Sequence, residues 1–129
     1  MYKTIFELAI FLQLNVVIGS RENWMKFVPD GQKLHGMTIP GTHDSYAIHC
    51  APGGIGCEWA RCQNWDVPKQ LEMGVRFFDV RLRPFNDLFT IHHGAVYMKR
   101  VFGTVLDHFK SFLQRNPSET ILVSHCKEI

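Results

Sequence analysis

Eight consecutive residues, Val75 to Leu82 (VRFFDVRL), constrain the fold more than any other stretch. They are dense in β-branched and aromatic side chains and follow directly on a helix-like segment that ends at Gly74. That composition reads as a strand buried in a sheet. Yet the strand carries Arg76, Asp79 and Arg81, and Arg83 follows at once. Buried charges without partners are costly, so some of these must pair and others must sit at the strand's open end.

The flanking segments supply the rest of the architecture. In 66–74, Asp66 reads as an N-cap, Pro68 is tolerated in the first turn, and Gly74 suits the left-handed C-terminal position, which predicts one short helix. Upstream, Arg21 to Lys33 predicts a short amphipathic helix with Trp24 and Phe27 inward, stopped by Pro29-Asp30-Gly31. Met37 to Pro40 predicts the first strand, broken at Pro40-Gly41. A long loop spans His49 to Cys62. Its Pro52–Gly56 run lacks both the P-loop lysine and dinucleotide-fold spacing, so it reads as a turn.

Downstream, Pro84 to Asp87 turns and Leu88 to His92 predicts a short strand. From Met98 to Arg115 the apolar positions Phe102, Val105, Leu106, Phe109, Phe112 and Leu113 form an amphipathic helical stripe, stopped by Asn116-Pro117. Thr120 to Ser124 predicts a continuous apolar strand. The order strand, helix, strand, strand, helix, strand is an α/β pattern, expected to build a parallel sheet covered on its outer face by helices.

The chain has 129 residues, enough for one ordinary domain, and its net charge of +2 with no basic run excludes a nucleic-acid partner. Two readings stand for residues 1–19. One is a signal peptide cleaved after Gly19, which makes 20–129 the mature domain of a secreted protein. The other is an amphipathic helix belonging to a cytoplasmic one. The segment is too short and too interrupted for a membrane span. Cys50, Cys57 and Cys62 cluster in the long loop while Cys126 stands apart. Their spacings lack the tight pairs of structural zinc sites, so no metal is expected. One disulfide within the cluster is expected, with Cys126 a reduced thiol in or near the pocket.

Chemistry-bearing residues gather at the ends of the predicted strands: His43 and Asp44, Asp79 and Arg81, and His93. In a parallel barrel such ends converge on one face. Taken alone, Thr42–Ser45 also reads as a capped turn, with Asp44 or Ser45 satisfying loop amides. Two imidazoles and a guanidinium around one point suit phosphodiester cleavage. One ring removes a proton from the attacking hydroxyl, the other protonates the leaving oxygen, and the arginine neutralises charge on the phosphate.

Five motifs in order carry a resemblance: N-W-M at Asn23, I-P-G-T-H-D-S from Ile39, Q-L-E-x-G-V-R-F-F-D-V-R from Gln70, H-H-G at His92, and N-P-S-E-T-I from Asn116. From about Asn23 to Glu128 the chain resembles the X-box catalytic region of the phosphatidylinositol-specific phospholipase C family. The resemblance implies the N-terminal half of a TIM-type (β/α) barrel and a phosphodiesterase acting on phosphatidylinositol or a related phospholipid at a membrane surface. It makes His43 the base on the inositol 2-hydroxyl and His93 the acid for the diacylglycerol oxygen, the latter chosen over His92 because it directly precedes Gly94. Arg81 stabilises the phosphate, Asp44 orients His93, and Asp79 supports the site. The product is a cyclic inositol phosphate.

Calcium-dependent members carry an asparagine at the position of Asp44 and acidic ligands at those of Asp79, Arg81 and Cys126. The cation of Arg81 and the thiol of Cys126 oppose calcium, so the resemblance points to the bacterial-like branch that needs no metal or other cofactor. That branch places an inositol-binding lysine where Cys126 stands, which puts substrate choice in question. Trp59 lies in the region that meets the lipid surface in the family, and reads equally as a membrane contact or as core. A barrel needs eight strands and about 250 residues, whereas four strands are predicted here. The same fold as a non-enzymatic lipid- or protein-binding module, or acting on another phospholipid, remains the alternative.

Overall fold

In a computed structural model, residues 21–50 and 56–127 are described. Five strands form one curled sheet: β1 (Gly41–Thr42), β2 (Phe77–Phe85), β3 (Leu88–His93), β4 (Val96–Val101) and β5 (Leu122–Lys127). Three α-helices accompany them: α1 (Cys57–Ala60), α2 (Val67–Glu72) and α3 (Phe102–Arg115). The expected leader over residues 1–19 and most of the Pro52–Gly56 turn lie outside the described residues.

β2 organises the sheet. It pairs in parallel with β1 at Phe77 and Phe78, and with β5 from Phe77 to Leu82. From Leu82 to Phe85 it pairs antiparallel with β3, which pairs antiparallel with β4. The sheet is therefore mixed, not wholly parallel as the element order suggested. The Phe85–Leu88 hairpin turns through Asn86 and Asp87, both at positive φ, the geometry a two-residue connection between twisted strands requires.

Several elements differ from expectation. The first strand is Gly41–Thr42 rather than Met37–Pro40. Because Gly41 pairs with Phe77, where β2 begins, Met37–Pro40 would have to run beside residues 73–76, which form the cap of α2 and the turn after it. Pro40 cannot donate to a ladder, but its carbonyl accepts both Arg76 N–H and Phe77 N–H. Gly41 is needed for close approach, since a Cβ there would stand 3.0 Å from the Phe77 Cβ. Second, Met98–Val101 belongs to β4 and not to the helix. Met98 falls on the helical stripe, but it is a residue of β4 whose side chain packs into the hydrophobic core. Third, Arg21–Phe27 is a 3-10 helix with no buried residue, and Phe27 lies outward beneath Lys26 Nζ.

α2 begins and ends as its sequence indicates. Asp66 accepts the Lys69 N–H at 2.9 Å, and Gly74 takes a φ of +96° just past the end. α3 buries Val105, Phe109 and Phe112 and leaves Leu106 outside. Its buried stripe packs on Phe78, Val80 and Leu82 of β2, with the Phe78 and Phe109 ring centroids 5.0 Å apart. Each such side chain contributes roughly 1.5–3 kcal/mol when fully buried. Strand alternation sends Phe77, Asp79, Arg81 and Arg83 to the opposite face, away from the helices. On β2 that inner face is mostly charged. The last strand is Leu122–Lys127 rather than the apolar Thr120–Ser124, and it is largely exposed.

The remaining charge in the strand region, Arg76, is fully buried against a fully buried Glu119, with Nε 2.9 Å from Oε2. Its guanidinium also donates to the Leu71 and Val75 carbonyls and stacks 4.5 Å over the Phe112 ring. Glu119 Oε1 accepts the Met25 N–H, so the N-W-M and N-P-S-E-T-I segments meet at this pair.

Candidate active site

The turn after β1 is locked from below by Ser45 and Gln70. Ser45 Oγ donates to Thr42 O at 2.9 Å and accepts the Asp79 N–H at 3.0 Å. Ser45 N–H donates to Asp79 O, Thr42 Oγ1 donates to Gln70 Oε1, and the Gln70 amide donates to Ser45 O and Trp65 O. Ser45 thus performs the turn-capping role that the segment offered. Asp44 is left at a φ of +45°, a left-handed conformation that aspartate tolerates.

This turn places Asp44, only 3% exposed, at the hub of the site. Its Oδ2 stands 3.2 Å from Arg81 Nε, 3.5 Å from His43 Nε2 and 3.6 Å from His93 Nε2. Burial pushes its carboxyl above the ordinary aspartate range, against the opposing pull of Arg81, His93 and His43. His43 is 65% exposed and presents Nδ1 to Asp79 Oδ2 at 3.0 Å. Its Nε2 faces Arg81 Nη2 at 3.4 Å. A carboxylate only accepts, so Nδ1 carries the proton in the neutral ring and the Nε2 lone pair is turned towards the guanidinium.

His93 ends β3, and its Nδ1 donates to Ala60 O at 2.9 Å. His92 points the other way, buried and packed on the Tyr97 ring at 5.3 Å. The structure therefore brings His43, Asp44, Asp79, Arg81 and His93 together and leaves His92 out. Cys126 is free, exposed and in register with Arg81 on the neighbouring strand, outside the hub. The thiol that touches the site is instead Cys62, with Sγ 3.6 Å from His93 Nδ1. Burial, reinforced by the Asp44 charge, pushes that thiol upward. The disulfide joins Cys50 to Cys57. Trp59 is 87% exposed, which removes it from the core.

Sequence reasoning did not single out Gln70, Gln63 or Cys62. Gln63 Nε2 donates to His43 O, and Gln70 ties three segments together. Gln70 lies inside the quoted Q-L-E motif, the one signal that pointed towards it.

The curled mixed sheet, helices on one face and two histidines with an arginine on the other, makes this part of a TIM-type barrel of the phospholipase C-like phosphodiesterase class. Residues 37–129 match the family model "Phosphatidylinositol-specific phospholipase C, X domain". The chain belongs to that family. It is 40% identical over 110 residues to the 1-phosphatidylinositol phosphodiesterase of Staphylococcus aureus (strain Newman), which covers 84% of this chain and 35% of that protein. The corresponding Listeria monocytogenes protein is 33% identical over 108 residues, covering 79% of this chain and 32% of that one. A solved structure of the S. aureus phosphatidylinositol-specific phospholipase C, a double mutant, superposes with a TM-score of 0.79 at 39% identity, over 85% of this chain and 36% of that one. The chain spans about a third of the length of the curated relatives it matches.

Proposed function

We propose that residues 20–129 form the acid–base part of a phosphodiesterase site that cleaves phosphatidylinositol without a metal ion. His43 Nε2 removes the proton of the inositol 2-hydroxyl, whose oxygen attacks phosphorus. His93 donates its Nε2 proton to the departing diacylglycerol oxygen. The P–O bond to the lipid breaks as the cyclic P–O bond forms, so the products are a cyclic inositol phosphate and diacylglycerol. Arg81 neutralises charge gathering on the phosphate oxygens. Asp44 holds Arg81 and His93 in place, and Asp79 fixes the His43 tautomer by accepting from Nδ1. Asp79 is the carboxylate that meets the base at Nδ1, 3.0 Å away.

The observation that carries this reading is the convergence of His43, His93 and Arg81 on one Asp44 oxygen within 3.2–3.6 Å. The Arg81 cation, where calcium-dependent members place an acidic ligand, supports metal independence. Cys126 lies beside Arg81 and would border the inositol ring. Exposed Trp59 supports contact with a lipid surface, and the Cys50–Cys57 disulfide supports secretion after removal of residues 1–19. Among the described residues no helix is long and apolar enough to cross a membrane.

The test replaces the matched stretch of the S. aureus relative with residues of this chain and assays phosphatidylinositol vesicles in EDTA. Cyclic phosphate should appear by phosphorus NMR. A folded chimera that turns over only with calcium, or whose turnover survives His43→Ala, refutes the proposal. The non-enzymatic alternative predicts vesicle binding with no product at all.

A further inference from the structure

β2 does not stop at the site. Asp79 and Arg81 lie midway along it, and the strand runs on to Phe85 before turning back through Asn86 and Asp87. Around that turn Phe85 is 63% exposed, Leu88 55% and Phe89 56%. Phe85 pairs with Leu88 and Pro84 with Phe89, and successive pairs along a hairpin point to opposite faces. The tip is therefore apolar on both faces, whereas a hairpin that covers a core needs only one apolar face. Its base is tied to the site. Thr90 Oγ1 donates to the Arg83 carbonyl at 2.8 Å, and Arg83 Nη2 donates to the carbonyl of Gly94, the residue after His93, at 3.2 Å.

The height of the tip matches a lipid surface. Phe85 lies beyond Arg81 in the direction in which β1 and β5 also run. At about 3.3 Å per residue and a barrel tilt of about 40°, the tip rises roughly 10 Å past the guanidinium. With a lipid phosphate at Arg81, that height is the boundary between headgroups and acyl chains, where interfacial elements bury their apolar faces about 5–10 Å deep. Trp59 stands near the same end, because the carbonyl of the adjacent Ala60 meets His93. Lys99 and Arg100 are exposed on β4, next to the Val101–Thr90 pair, and suit anionic headgroups. Asn86 and Asp87 hold the turn itself at the hydrated boundary. A protein partner fits less well. The three apolar side chains expose on the order of 300 Å², against about 800 Å² per partner in a standard interface, and such a partner would cover one face of the tip and leave the other in water.

We infer that the β2–β3 hairpin is a membrane anchor, whose Phe85, Leu88 and Phe89 enter a bilayer containing phosphatidylinositol. This rests on the reading that the site meets its substrate in a membrane. A bilayer wraps both faces of the tip, which is what the two-sided exposure requires. The two-residue turn and the Thr90 and Arg83 hydrogen bonds hold the hairpin in shape before it binds, so little ordering is lost on insertion. Through Arg83 and Gly94 the anchored hairpin fixes the depth of His93, and through β2 that of Arg81, relative to the headgroup phosphates. The anchor therefore acts on substrate in a surface and has no part in the acid–base steps.

The experiment sediments the 129-residue chain with vesicles of phosphatidylcholine and phosphatidylinositol. Phe85→Ser/Phe89→Ser should weaken binding at least about tenfold through the loss of two buried aromatic side chains. In the wild-type chain, phosphatidylcholine carrying a photoreactive diazirine on an acyl chain should label residues 84–90, a reading that needs no variant. In the S. aureus chimera, the serine pair should lower turnover of vesicles and leave turnover of monomeric short-chain phosphatidylinositol unchanged. Vesicle binding that high salt abolishes and the serine pair leaves intact overturns the proposal, as does labelling that spares 84–90. Equal loss of vesicle and monomer turnover also overturns it, by placing the hairpin in the reaction itself. A chimera inactive on both substrates refutes the phosphodiesterase reading instead, while sedimentation and labelling still decide the anchor.

Discussion

Glu119→Gln should be the most destabilising isosteric change in the described structure. The side chains of Arg76 and Glu119 are both 0% exposed, and both Nε and Nη2 stand 2.9 Å from Oε2. Glutamine keeps the shape and an acceptor but leaves a guanidinium buried without its counter-charge. Burial already lowers the Arg76 pKa, with the hydrogen bond and charge of Glu119 working against that. Removing one partner of such a pair costs about 3–5 kcal/mol, against a typical total stability of about 5–15 kcal/mol. At about 4 °C per kcal/mol for a domain of this size, Tm should fall by roughly 12–20 °C. Urea unfolding followed by tryptophan fluorescence measures the loss directly. The double replacement Arg76→Met/Glu119→Leu should recover most of it, because no charge then remains buried. A Glu119→Gln loss below about 1 kcal/mol would refute the reasoning by showing that water or another group solvates Arg76. The pair matters beyond stability, since Arg76 anchors the start of the strand that carries Asp79 and Arg81.

Asp44→Asn should cut turnover of the chimera by at least about 10²-fold yet leave the chain as stable or more stable at neutral pH. The Asp44 carboxyl is raised by burial, so its ionised form is disfavoured in the fold. That penalty is absent well below the ordinary carboxyl range and grows as pH rises through the folded value. Melting curves from acid to neutral pH that show the variant falling behind as pH rises would reverse the sign. His93→Ala should cost about 10²–10⁴-fold in turnover and His92→Ala far less; the opposite ranking moves the acid to His92. A non-reducing peptide map should find Cys50 joined to Cys57 with Cys62 and Cys126 free. Trp59→Ala should weaken binding to phosphatidylinositol vesicles while leaving Tm within a degree or two; equal binding removes it from the lipid contact.

Much of this was legible in the amino-acid order because the causes were local. Asp66 caps α2 and Gly74 ends it through interactions spanning three or four residues, and Asn116-Pro117 stops α3 in the same way. VRFFDVRL reads as a strand from its own composition, and the charges it carries had to be paired or placed at an open surface. The ordered motifs placed the family and named the residues of the hub. Tertiary structure decided what depends on partners far along the chain. The register of Gly41 on Phe77 moved the first strand, and pairing with β3 turned Met98–Val101 from an apparent helical turn into β4. Side chains of adjacent strand residues point to opposite sides, and only the packed sheet reveals which side is covered. That is why Phe78 and Val80 meet α3 while Asp79 and Arg81 face the site, and why His93 rather than its neighbour His92 reaches Asp44. Cys62 carries no local signature, because its contact with His93 exists only once the loop after α1 folds against the end of β3.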